Sequence, residues 1–142
     1  MDILLASLVS AVLFIIGCIH MYWLFGGRGG FLIAVPIRTD TKAPFFKPGR
    51  IEIAAVILIF WAASALLLME AGVIPVIGPS WLPSFAGWSL ALVFLLRAVG
   101  EFKTLGFFKS IRNTPFARMD TLFYSPLCLL LCALTTWMMV IS

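Results

Sequence analysis

Residues 3–24, ILLASLVSAVLFIIGCIHMYWL, contain no Lys, Arg, Asp, Glu or Pro. A helix of that length rises about 33 Å, enough to cross roughly 30 Å of hydrocarbon. The segment ends at Gly26-Gly27, where two flexible residues follow Tyr22 and Trp23, aromatics of the kind that settle at headgroup depth. Three further stretches have the same character: Ile53 to Ala71, Pro83 to Val99 and Thr121 to Ile141. Gly72 and Pro75 follow the second stretch. Pro83 opens the third, where a first helical turn tolerates it. The Met1-Asp2 start has neither the positive region nor the small-residue cleavage site of a secretory signal, so the first segment is expected to stay as a span.

The whole composition agrees with this reading. The 142 residues are 63% hydrophobic and 11% charged, with a mean hydropathy of +1.13. Water is not the main solvent of such a chain. Four spans use most of its length, so the expected fold is all-α: a four-transmembrane-helix bundle forming one transmembrane domain over 1–142. Its spans are placed at about 3–24, 53–71, 83–99 and 121–141, with loops at 25–52 and 100–120.

The charges add a direction. Arg28, Arg38, Lys42, Lys47 and Arg50 lie around the first loop, and Arg97, Lys103, Lys109, Arg112 and Arg118 lie around the link from the third span to the fourth. The turn from Gly72 to Leu82 and both termini have no Lys or Arg. The positive-inside rule therefore puts both long loops in the cytoplasm and both termini on the non-cytoplasmic side. The net charge of +4 is dispersed by this topology and does not form a contiguous basic run, so a nucleic-acid partner is not expected. Membrane lipids are the expected partners, with a homo-oligomer or larger membrane complex as an open alternative.

The first loop carries an apolar stretch, Phe31 to Ile37, too short to span. It is expected to lie in the interface or fold back on the bundle, with Phe45-Phe46 as a second contact to the headgroups.

Polar side chains at membrane depth are costly and each invites a reason. His20, Tyr22, Trp23, Glu52, Arg97, Glu101, Asp120, Tyr124 and Ser125 come from all four spans and lie within about two turns of the same membrane face. They form the candidate ligand-binding set. His20 is the single histidine and is expected to be a hydrogen-bond anchor satisfied by a neighbouring helix, a proton carrier or a ligand. Arg97 either snorkels to the headgroups or pairs with Glu52, Glu101 or Asp120. Asp120, Tyr124, Cys128, Cys132 and Thr136 recur every four residues and are expected on one inward face of the fourth span. Pro126 removes a backbone donor and is expected to kink that helix beside Tyr124 and Ser125. Glu70, at the opposite mouth, is expected to be solvated.

Catalytic signatures are missing. Gly26 to Gly30 lacks the Lys-Ser/Thr of a phosphate-binding loop, and Ser125 has no Gly-x-Ser-x-Gly context. A lone histidine cannot make a bis-histidine haem site, and no Cys-x-x-Cys occurs among Cys18, Cys128 and Cys132. No cofactor is assigned and no metal site is expected.

The pattern His20-x-Tyr22-Trp23, Gly26-Gly27 and Asp120-x-x-x-Tyr124-Ser125-Pro126-Leu127-Cys128 resembles an uncharacterised family of small four-helix bacterial membrane proteins, known as a domain of unknown function. That resemblance covers essentially the whole chain and implies a multi-pass protein of the bacterial inner membrane, without an activity. A second resemblance is to the four-helix glutathione-dependent membrane enzymes, through Arg50 and Glu52 at the start of the second span. The chain departs from their Arg-x-x-x-Asn-x-x-Glu pattern, with Ala54 and Ile57 in the diagnostic positions. Three functions follow as expectations: binding of a lipid or small amphiphile in a polar pocket near the cytoplasmic face, a non-catalytic subunit, or a small enzyme acting on an apolar substrate.

Overall fold

The computed structural model describes residues 1–100 and 104–142. In chain order it has α1 (Asp2–Leu24), a one-turn α2 (Phe31–Ala34), α3 (Arg50–Glu70), α4 (Leu82–Val99), α5 (Pro115–Met119), a π-helical turn (Asp120–Tyr124) and α6 (Ser125–Ile141). Among the described residues there is no strand, only an isolated bridge between Ile37 and Pro44. Four helical segments among the described residues are long and apolar enough to span: α1, α3, α4 and the continuous Pro115–Ile141 stretch of 27 residues.

Only 22–33% of the most apolar window of each segment is buried within the protein. Leu4, Leu8, Ile15, Leu58, Ile59, Leu92 and Leu130 all face outward. Such an apolar exterior suits hydrocarbon and would be an aggregation surface in water. The chain is a multi-pass membrane protein.

Helix ends follow local chemistry. Gly72 takes φ +72° past the end of α3, and the Val73 N–H closes the last turn on Leu68 O at 2.9 Å, a C-terminal cap that a Cβ would oppose. α3 begins at Arg50, three residues before the apolar run, because its first turn can be exposed and charged, with Glu52 suited to the positive helix N-terminus. Thr114 caps α5: its Oγ1 accepts from the Ala117 N–H at 3.0 Å, and Pro115 occupies the first turn. The fourth helical segment therefore starts six residues earlier than apolarity alone indicates.

The helices form two antiparallel pairs. α1 lies along α3, where Ser10 Oγ donates to Ser64 O at 2.9 Å and Ser64 Oγ returns a bond to Ser10 O at 3.0 Å. Small residues allow this approach, and Gly17 leaves room for the Trp61 indole, which no Cβ there would permit. α4 lies along α6, with Gly87 under Met139. Contacts of α3 with α4 and of α1 with α6 close the bundle around Val9, Leu13, Leu67, Phe94, Leu131 and Met138.

The inward face of α6 departs from simple four-residue spacing. Its buried positions run Asp120, Ser125, Leu131, Thr135, Met138 and Met139, while Tyr124, Cys128, Cys132 and Thr136 are half-buried beside them. The π-helical turn, closed by Ser125 N–H to Asp120 O, inserts one extra residue, so that Ser125 and not Tyr124 is the next fully buried position after Asp120. The π turn lies immediately before Pro126, whose missing N–H already breaks the regular ladder. Glu70 is also not simply solvated: its two oxygens accept from Ser84 Oγ at 2.9 and 2.8 Å, tying α3 to α4 at the far end.

Candidate functional site

All the described Lys and Arg residues gather at one end of the bundle, where α1 and α4 finish and α3 and the fourth segment begin. There the polar residues form two separate constructions.

The first is centred on Asp120, whose side chain is fully buried. Arg97 Nη2 stands 2.8 Å from Oδ1, and Lys109 Nζ stands 3.0 Å from Oδ2. Oδ2 also accepts from the Gly106 N–H at 2.8 Å. Lys109, itself buried, donates further to Gly106 O at 3.0 Å and to Thr121 Oγ1. The segment carrying it turns back under α4: Phe107 N–H donates to Ala98 O at 2.9 Å, capping the helix. Gly100 at φ +82° and Gly106 at φ +81° make this return possible, because a Cβ on either would strike the other strand of the turn. Arg112 pins the same turn through Nε to Lys109 O at 3.1 Å. A carboxylate at this depth is tolerated because cations and amide dipoles replace its hydration. This is architecture: it anchors the start of the fourth span to the end of the third.

Three buried polar atoms in this region have no hydrogen-bond partner among the described residues: Arg97 Nη1, Asp120 Oδ1 and Ser125 Oγ. For Oδ1 the shortfall is angular, since Arg97 is in ion-pair contact with it.

The second construction is a pocket of about 280 Å³ between the start of α3, the end of α1 and the returning first loop. His20 and Trp23 supply the α1 side, Phe31 and Val35 the re-entrant side, Phe46 the loop side and Glu52 the α3 side. Ile53 and Val56 line its depth. The short Phe31 segment folds back against the bundle and does not lie free. Tyr124 Oη donates to Ile33 O at 3.0 Å and so latches α2 to the fourth span. Trp23 Nε1 donates to Gly29 O at 2.8 Å, and Tyr22 Oη accepts from the Gly29 N–H at 3.2 Å. Gly27 lies under the Tyr22 ring, where a Cβ would not fit.

His20 is satisfied within its own helix, not by a neighbour. Its Nδ1 is 2.8 Å from Ile16 O, and a carbonyl can only accept, so Nδ1 carries a proton and donates it there, which makes Nε2 the acceptor in the neutral tautomer. The ring stands edge to face with Trp23 and tilts against Phe60. Glu52 is exposed, and its carboxylate folds back over Gly49, in the space a Cβ would need.

The nine expected residues therefore do not share one pocket. His20, Trp23 and Glu52 line the pocket, Tyr22 and Tyr124 hold its walls, and Arg97 and Asp120 form the ion cluster, with Ser125 buried beside it. Glu101 lies outside the described residues. Sequence reasoning missed Lys109, Phe31 and Phe46. Lys109 resembles any loop cation, and the signal that could have exposed it is Asp120, since a carboxylate at depth needs more compensation than one partner supplies. Cys18 is exposed while Cys128 and Cys132 are half-buried, and among the described residues no three His, Cys, Asp or Glu side chains cluster as metal ligands. A larger groove, about 390 Å³, is lined by Ala133, Thr136, Trp137, Val140 and Ile141, all from one helix at the other end, and is a furrow on the lipid-facing side.

The model of a family described as a protein of unknown function (DUF3995) matches residues 13–135. The chain belongs to that family. No curated protein and no solved structure matches it. The matched stretch contains every residue of both constructions, from His20 to Ser125, so the pocket and the ion cluster fall inside the family region.

Proposed function

We propose that this protein binds a small amphiphile at the cytoplasmic face of a bacterial inner membrane, with both termini on the opposite side. The observation that carries the proposal is the pocket between α1, α3 and the first loop. Its lining is mostly apolar and aromatic, yet it includes the carboxylate of Glu52 and the imidazole of His20. An apolar cavity with a few convergent polar groups is the usual form of a ligand site, and about 280 Å³ is just below the roughly 300–1,000 Å³ range of such sites. It suits a head and the first part of a chain. The orientation rests on the gathering of basic residues at the pocket's end of the bundle.

Mild-detergent extraction followed by native mass spectrometry tests the reading. The wild-type chain is expected to carry an amphiphile that Val56→Trp, which fills the depth of the pocket, releases. An unliganded wild-type chain, or an adduct that survives Val56→Trp unchanged, refutes it. Reporter fusions at each terminus test the orientation, and activity of a cytoplasm-dependent reporter at either end overturns that part.

A further inference from the structure

The pocket sits at the most basic end of the molecule, yet among the described residues no Lys or Arg lines it. A site for an anionic head would have had many cations at hand. The described lining instead holds the carboxylate of Glu52 and the rings of His20, Trp23, Phe31 and Phe46.

The rings are set as walls. His20 and Trp23 have centroids 5.0 Å apart at 68°, and Trp23 and Phe31 have centroids 5.7 Å apart at 83°. Successive rings therefore turn corners and present faces and edges in different directions. Trp23 is fixed in place by its Nε1 bond to Gly29 O. A cation within about 6 Å of an aromatic centroid is attracted by the ring's negative face, most strongly by Trp, and the attraction grows as water is excluded. The His20 Nε2 lone pair adds an acceptor for an N–H donor, because Nδ1 is committed to Ile16 O.

We infer that the pocket recognises an organic ammonium group, held by the Glu52 carboxylate and the aromatic walls. The inference rests on the amphiphile-binding reading above and names its head. The same head chemistry is carried by a simple alkylammonium and by an ethanolamine phospholipid. In the second case the phosphate would lie toward Lys47 and Arg50, exposed residues that border the lining in the chain.

The test uses the full chain in a non-ionic maltoside detergent, with native mass spectrometry as readout. Three probes of matched chain length are compared: an alkyltrimethylammonium, an ethanolamine phospholipid and a glycerol phospholipid. At least one ammonium-bearing probe is expected to be retained about tenfold over the glycerol phospholipid, the discrimination one or two cation–π and charge contacts provide. Retention of the alkylammonium identifies the ammonium alone as sufficient; retention only of the ethanolamine phospholipid shows that the phosphate is also needed. Phe46→Leu and Glu52→Gln, both at exposed positions, are each expected to lower that preference severalfold, the first without moving the thermal midpoint and the second with only the small drop that losing a carboxylate at the α3 N-terminus brings. If the glycerol phospholipid binds as well as the others, or both variants keep the full preference, the ammonium inference falls while the amphiphile reading stands. If no probe binds and Val56→Trp changes nothing, both fall.

Discussion

Asp120→Asn changes the net charge of the ion cluster while keeping the shape of the side chain. In the native protein Asp120 faces two cations, and the three groups sum to a single positive charge; the substitution leaves two positive charges with no counter-ion in the trio. Lys109 is about 1% exposed and has no water to turn to, whereas Arg97, 28% exposed, can recover part of its solvation. Removing one partner of a buried pair costs about 3–5 kcal/mol, and the Lys109 side supplies most of that here. Measured against a total stability of roughly 5–15 kcal/mol, the loss is large, and the thermal midpoint should fall by roughly 10 °C. Lys109→Met should cost less, about 1–3 kcal/mol, because Asp120 keeps Arg97 and the Gly106 N–H. The double variant should then be more stable than the sum of the two losses by at least about 1 kcal/mol, since the second change removes the orphaned cation. Thermal unfolding in detergent, followed by circular dichroism, measures all four chains. A fully stable Asp120→Asn chain, or strict additivity in the double variant, would refute the account of Asp120 as the counter-ion that makes Lys109 burial possible.

Other expectations follow from single contacts. Gly106→Ala should destabilise by about 1–3 kcal/mol, because it combines a positive φ with a Cβ directed at Val99 O; an unchanged midpoint would mean the turn relaxes freely. Tyr124→Phe removes the bond to Ile33 O and should cost about 0.5–1.5 kcal/mol, read as faster amide exchange in residues 31–35 with the spans unaffected. Gly17→Leu should separate α1 from α3 by displacing Trp61, shifting the indole emission, whereas an unaltered spectrum and midpoint would contradict the close approach.

Apolar length and charge placement are legible in a linear chain because each depends on local composition. The bilayer sets how many apolar residues make a span, and the basic loops mark one end, so four spans and the gathering of polar residues at that end follow from the residues alone. The Arg97–Asp120 pair also stood among the partners that a charge at that depth demands. What the chain order conceals is how the loops return. Lys109 reaches Asp120 only because Gly100 and Gly106 reverse the backbone beneath α4, and Phe31 and Phe46 join His20 only because Tyr124 and Trp23 pin the first loop to the bundle. The inward face of α6 passes through Thr135, with Thr136 only half-buried, because steps of four residues overrun the 3.6-residue turn, and at the start of the span the π-helical turn puts Ser125 on the buried side after Asp120. Sequence alone determined the solvent, the spans and the polar end; tertiary structure divided that end into a buried ion cluster and an aromatic pocket, since long-range contacts and single-residue register shifts are properties of packing.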